Sequence, residues 1–314
     1  MNSNSIQEVK VFAYDAASAN VVLAFVYFNF NNENYNVTAY PKGPAVNILQ
    51  KEMINTAKIK DDDHYAFKMD DIVITGLSGI SSNYELEVIR IAKKNKVSQI
   101  ISLLDVARSI DDRFLLNIEN IEEFLPYRIL IPTDNLQVSK DKKINNLLEE
   151  YENPYWKYVY EKYYKIPPPI TNDLIQKSIG NYIVFFTEYI KEQFGDTLGY
   201  DEFTIMSDFI DVFRNTNISI YIKLHPSEEK NKYDKYIPND SKIYVIKDEI
   251  STQEILYYAK VVFGCMTSVF YEALLLHKQC FSLQLNYKKD IFELTLENKI
   301  TRVETKKQLT ECLQ

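Results

Sequence analysis

The sequence predicts an α/β protein built from two Rossmann-like domains, each with a parallel sheet. Three observations carry this. Apolar runs of strand length alternate with helix-length segments, an aromatic and proline-rich stretch interrupts the alternation once, and 314 residues suffice for two domains of ordinary size. Strands separated by helices of this length belong to parallel sheets with helices on both faces.

In the first half, EVKVFAY (8–14), NVTAYP (36–41), DIVITG (71–76), QIISLLD (99–105) and RILIPTD (128–134) read as strands. AASANVVLAFVYF (16–28), PAVNILQKEM (44–53) and SNYELEVIRIAKKNK (82–96) read as helices, the last with basic residues in its final turn, where they complement the helix dipole. KIKDDDHY (58–65) reads as a polar connection. The stretch from Glu149 to Ile170, which includes YENPYWKYVYEKYYKIPPPI, then breaks the pattern, and its three consecutive prolines stiffen the chain. The expected division is an N-terminal domain over 1–150, a packed connector over 151–180 and a C-terminal domain over 181–314.

The alternation resumes with strands at NYIVFFTEY (181–189), ISIYIKLHP (218–226), KIYVIKD (242–248), VVFGCM (261–266) and QCFSLQL (279–285). Helices are expected over DEFTIMSDFIDVFRNT (201–216), STQEILYYAK (251–260) and TSVFYEALLLHK (267–278), with Asp201 near the start of the first. Ser251 and Glu254 have capping-box spacing. A closing strand and helix end the chain.

A net charge of −8 argues against nucleic acid as the main partner, since phosphate neutralisation calls for a basic balance. Cys265, Cys280 and Cys312 form no CxxC or Cys/His pattern, so neither a disulfide framework nor structural zinc is expected. No basic-then-apolar leader is visible and no run approaches the ~18 apolar residues of a membrane span. The expected location is the cytoplasm, with peripheral membrane contact left open. There are 7 glycines and 24 tyrosines. Glycine usually serves where backbone approaches phosphate, so here such approaches are few or use other small residues.

Two segments carry candidate chemistry. In VVFGCMTSVFYEALLLHK an apolar strand runs into Gly264, and small and hydroxyl residues open a helix. Ligands of open α/β sheets bind outside the carboxyl ends of strands, so the amides and hydroxyls of Thr267 and Ser268 are placed for phosphate. Glu272 shares a helix face with Ser268 and could accept from ribose hydroxyls. The competing reading makes Thr267 a helix cap and Glu272 a solvated helix residue. In KLHPSE (223–228), His225 ends a strand, Pro226 fixes the turn after it, and Lys223 shares the histidine's face. An ordinary turn histidine is the alternative.

Together, His225-Pro226 and Thr267-Ser268, with Glu272 inside the following helix, resemble the C-terminal domain of GT-B glycosyltransferases. The likeness is nearest to bacterial sialyltransferase-like enzymes with HP and SS motifs. Related patterns occur in capsule and lipopolysaccharide transferases, polyol-phosphate transferases and non-hydrolysing UDP-N-acetylglucosamine 2-epimerases. The resemblance implies a GT-B fold whose two domains face each other across a cleft, with a CMP- or UDP-linked sugar as donor. It implies that the HP motif contacts the nucleotide and that the hydroxyl pair binds phosphate, Thr267 standing for the first serine. His225 would stabilise the departing phosphate, and a glycan or lipid-linked molecule would accept the sugar.

The base would come from the N-terminal domain. Asp105 ends a strand and is followed by Arg108 and Arg113, so base, helix cap or Arg108 ion pair all fit it. Asp15 precedes the small-residue loop AASAN, and GLSGISSNYELE (76–87) is a second small-residue turn into a helix. His64 reads as surface and His277 as a structural helix-end residue. No DxD-type motif is present, so no metal and no cofactor beyond the donor are expected. Sugar-nucleotide epimerisation or hydrolysis, polyol-phosphate transfer and non-catalytic binding are the alternatives to glycosyl transfer.

Overall fold

A computed structural model of the chain describes residues 6–53, 56–62, 65–78, 82–105, 110–114, 120–132, 139–225, 228–238 and 242–313. The chain divides into two compact units, Met1–Tyr158 and Val159–Gln314. The aromatic and proline-rich stretch is shared between them.

In the first unit the elements run β1 (Gln7–Ala13), α1 (Ala16–Phe30), β2 (Tyr35–Pro41), α2 (Ala45–Glu52), β3 (Lys58–Ile59), β4 (Ile72–Thr75), α3 (Tyr84–Lys94), β5 (Gln99–Leu103), α4 (Ile110–Phe114), β6 (Arg128–Pro132), α5 (Lys142–Asn145), β7 (Leu148–Tyr151) and α6 (Tyr155–Val159). They build a seven-stranded parallel sheet in the order β3-β2-β1-β4-β5-β6-β7. Val9, Val11, Phe12 and Ala13 of the central strand are fully buried, as a strand covered on both faces requires. Phe12 stacks on Tyr40 with ring centroids 5.0 Å apart. The edge strands β3 and β7 differ from the sequence reading, which placed none there. Their sequences, KI and LEEY, are half exposed and carry no apolar run.

The second unit opens with a π-helical turn, Tyr160–Tyr164, closed by the Lys165 amide on the Tyr160 carbonyl at 2.8 Å. It continues through α7 (Asp173–Ser178), β8 (Tyr182–Phe186), α8 (Ile190–Phe194), α9 (Glu202–Phe213), β9 (Ser219–Lys223), β10 (Ile243–Ile246), α10 (Thr252–Tyr257), β11 (Val261–Gly264), α11 (Val269–Leu275), β12 (Gln279–Leu283), α12 (Glu293–Leu296), β13 (Thr301–Val303) and α13 (Lys306–Glu311). The six-stranded parallel sheet has the order β10-β9-β8-β11-β12-β13. Helix α9 starts on a capping box between Asp201 and Thr204 and buries Ile205, Met206, Phe209, Ile210 and Phe213, a stripe at helical spacing. Phe209 meets Phe263 of β11 at 5.2 Å. A Phe209→Ala change there would cost about 3–5 kcal/mol.

Ser251 caps α10 through the Glu254 amide at 3.1 Å, but the Glu254 carboxylate does not return to Ser251. It accepts from the Thr171 amide at 2.8 Å, the Thr171 hydroxyl at 2.5 Å and the Asn172 amide at 3.2 Å. Tyr258 donates to the Pro168 carbonyl at 2.8 Å. The polyproline segment is thus fastened to α10. Both sheets reverse strand order beside their first strand, between β1 and β4 and between β8 and β11. Such a reversal opens a crevice at the carboxyl ends of the strands.

Candidate functional site

In the second unit the reversal point is bridged by Glu188, which follows β8. Its carboxylate accepts from the Cys265 amide at 2.9 Å and from the Met266 amide at 2.8 and 3.1 Å, the first two residues beyond β11. Gly264 lets Thr267 and the end of β8 pack against the turn after β11. A Cβ there would lie 2.8 Å from Thr267 Cγ2 and 3.3 Å from the Phe186 carbonyl. Burial pushes Glu188 up to about 7, the Met266 and Cys265 amides pull it back, and the charges of Glu228 and Glu202 push it further. A carboxyl group that titrates near neutrality at a strand end is a recognised mark of a functional site. The sequence reading did not single it out. The available signal was an acidic residue directly after the apolar run YIVFFT. The neighbouring Cys265 thiol is buried and held well above its ordinary range by burial, which makes it unreactive.

His225 and Thr267-Ser268 follow β9 and β11, the strands on either side of β8. Thr267 is buried and its Oγ1 accepts from the Val269 amide at 3.3 Å, while exposed Ser268 is the N-cap residue of α11 and makes no side-chain cap bond. Glu272 is not merely a solvated helix residue. Its Oε2 accepts from the Tyr164 hydroxyl at 2.5 Å. His225 is exposed at the end of β9, edge-on to Tyr189 with centroids 5.4 Å apart. Pro226 lies outside the described residues. Lys223 does not join His225: it is buried and donates to the Lys247 and Ile250 carbonyls, holding the turn between β10 and α10.

The His225 backbone is set by a buried polar cluster. Its amide donates to Thr187 Oγ1 and Glu228 Oε2, both at 3.0 Å. Glu228 also accepts from Lys232 at 2.8 Å and Tyr233 at 2.9 Å, and Lys232 reaches Glu202 at 2.8 Å. Glu202 and Glu228 are each 1% exposed. Two buried carboxylates sharing one ammonium fix the strand-end geometry, because removing the ammonium leaves both carboxylates unpaired.

In the first unit the reversal point between β1 and β4 is also bridged by a glutamate. Glu85 of α3 is buried; its Oε1 accepts from the Tyr14 amide at 2.8 Å and from Ser78 Oγ at 2.5 Å. Its Oε2 is buried without a hydrogen-bond partner among the described residues. Burial raises its pKa, against the pull of Ser78 and the Tyr14 amide. Asp15 caps α1, accepting from the Ser18 amide at 2.7 Å, and its own amide donates to Ser78 Oγ at 3.2 Å. Asp105 is ion-paired with Arg113 at 2.8 Å. Arg108, the partner considered from sequence, lies outside the described residues, as do His64 and residues 79–81. Arg113 also donates to the Leu77 carbonyl, so Asp105 is tied to the loop after β4. His277 is exposed and closes α11 at φ +52°, a helix-end conformation. Among the described residues no group of three His, Cys, Asp or Glu side chains is placed to hold a metal ion, and no helix is long and apolar enough to cross a membrane.

No protein-family profile matches the chain and no curated protein does. Solved structures do. UDP-GlcNAc 2-epimerase from Methanocaldococcus jannaschii is similar at TM-score 0.60 and 13% identity, over 98% of this chain and 92% of that one. The Neisseria meningitidis UDP-GlcNAc 2-epimerase bound to UDP-GlcNAc is similar at TM-score 0.62 and 11% identity, over 98% and 90%. CalG4, the calicheamicin glycosyltransferase, is similar at TM-score 0.52 and 6% identity, over 98% and 89%. At these identities the likeness shows the fold: two parallel-sheet α/β domains of the GT-B kind.

Proposed function

We propose that the chain is an enzyme acting on a nucleoside-diphosphate sugar, UDP-linked, held at the carboxyl edge of the six-stranded sheet. What supports this reading is that β9, β8 and β11 are neighbours in a parallel sheet, so that His225, the near-neutral Glu188 and Thr267-Ser268 follow adjacent strand ends, with Glu272 one turn into the helix after β11. Phosphate takes the hydroxyls and adjacent amides, ribose takes Glu272, and His225 donates to charge developing on the diphosphate. The UDP-GlcNAc bound to the Neisseria meningitidis epimerase supports the choice of nucleotide.

Epimerisation of the sugar is the first reaction to assay. It needs acid and base groups that exchange a proton with a sugar carbon, and the candidates in the first unit are Asp15 and Asp105, which follow strands, and Glu85 on α3. Two of the similar structures are 2-epimerases. Glycosyl transfer is the second reading, favoured by the His225-Pro226 and Thr267-Ser268 motifs, with Asp105 and then Asp15 as base. A sialic-acid-like sugar on CMP rests on those motifs alone.

The test is incubation of the purified chain with UDP-GlcNAc, UDP-glucose and a CMP-linked sugar, with and without glycan acceptors, followed by mass spectrometry and proton NMR. A new epimer supports the first reading and a glycosylated acceptor the second. Binding of none of UDP, CDP, GDP or CMP in parallel calorimetry would refute the proposal.

A further inference from the structure

Glu272 is the acceptor that the proposed function assigns to ribose, and its two oxygens are not equivalent. Oε2 is held by the Tyr164 hydroxyl at 2.5 Å, the length of a charge-assisted O–H···O⁻ bond. Oε1 takes no hydrogen bond from the described residues and is not sealed from solvent, on a residue that is half-buried. A carboxylate with one oxygen clamped and the other open presents a single acceptor in a fixed direction. Burial raises the pKa of Glu272, and the Tyr164 hydroxyl opposes that shift.

The clamp is itself rigid. Tyr164 is 3% exposed and its ring lies parallel to that of Tyr257 on α10, 12° between planes with centroids 6.4 Å apart. It ends the π-helical turn, whose wider closure sets the side chain at a different azimuth from an α-helical residue. Single π turns of this kind occur often at functional sites. The alternative is that the bond only fastens the turn to α11. That role would not require the second oxygen to be left without a hydrogen bond from the described residues.

We propose that Tyr164 is the positioning residue of a ribose subsite: by holding Oε2 of Glu272 it turns Oε1 outward to accept the 2′- or 3′-hydroxyl of a ribonucleotide, and so makes the protein prefer ribonucleotides to their deoxy forms. The inference rests on the reading that a nucleotide binds at this edge. Calorimetric titration of the full chain with UDP, 2′-deoxy-UDP and 3′-deoxy-UDP tests it. The wild type binds UDP about 10- to 100-fold more tightly than the analogue lacking the contacted hydroxyl, as a hydrogen bond to a charged group provides. Tyr164→Phe keeps the ring and its stack but removes the clamp. The preference then falls below about threefold through loss of UDP affinity alone, with affinity for the deoxy analogue unchanged. Glu272→Gln produces the same loss in a chain that retains Tyr164.

A purely structural role for Tyr164 would weaken UDP and its deoxy forms equally, and that result overturns the inference. So does Tyr164→Phe with its preference intact, or a wild type that binds all three nucleotides alike; in both cases the nucleotide site itself stands. Absence of UDP binding removes the proposed function and this inference together.

Discussion

Replacing Glu188 by glutamine isolates the group that bridges β8 and β11. In the folded protein its carboxyl group titrates at about 7, against an ordinary 4.5. The folded state therefore holds this proton more tightly than the unfolded chain does. Its contribution to stability is present in full below pH 4.5 and is lost as the pH rises to and through 7. Over the whole interval the shift corresponds to roughly 3 kcal/mol, of which about 2–3 kcal/mol falls between pH 5 and pH 8. Glutamine keeps an oxygen for the Cys265 and Met266 amides but has no proton to lose. The wild type should therefore lose about 2–3 kcal/mol relative to Glu188→Gln on going from pH 5 to pH 8. Urea-dependent hydrogen exchange, read by mass spectrometry on peptides from β8 and β11, reports this for the second unit. The single tryptophan, Trp156, lies in the first unit, so its fluorescence serves as a control that should not respond. Parallel pH profiles for the two proteins would show that Glu188 titrates normally and would remove it from the list of acid–base candidates.

Thr267→Ala combined with Ser268→Ala should weaken UDP binding about 10- to 100-fold in calorimetry while the melting temperature holds. Lys232→Met strands Glu202 and Glu228, each 1% exposed, and should cost about 3–5 kcal/mol in urea unfolding of the second unit. Adding Glu228→Gln should recover part of that loss. Gly76→Ala would put a Cβ 2.4 Å from the Ser18 Cβ and should destabilise the first unit by about 1–3 kcal/mol, with Ser18→Gly in the same chain recovering only part of it, since the Ser18 Cα stays 3.2 Å away and glycine weakens α1.

The buried strands were legible because burial on both faces imposes long apolar runs, as in VVFG and YIVFF. Edge strands lack that constraint, which is why LEEY and the KI of a lysine- and aspartate-rich stretch went unread. In the candidate site, Gly264, Thr267, Ser268 and His225 were visible because small, hydroxyl and imidazole side chains at strand ends form local patterns. Glu188, Glu85 and Glu228 were not singled out, since what distinguishes each is the partner it meets. Glu188 meets amides 77 and 78 residues away, and Glu85 meets the Tyr14 amide 71 residues earlier. Glu228 stood in the KLHPSE string beside the histidine it supports. Nothing in its spacing announced that Lys232 and Tyr233 would converge on the same carboxylate.

The fastening of the polyproline segment has a consequence for synthesis of the chain. Thr171 and Asn172 are held by Glu254, Pro168 by Tyr258 and Tyr164 by Glu272, at sequence separations of 82 to 108 residues. Every one of these ties waits for residues the ribosome supplies much later. At translation rates of about 5–20 residues per second the segment spends several seconds without its permanent partners. Ile166, 79% exposed even in the folded protein, and Ile170 then stand on a stretch with no sheet to dock on. The prolines answer that interval in kinetic terms: a backbone with three successive missing amide donors is a poor template for strand pairing between nascent chains.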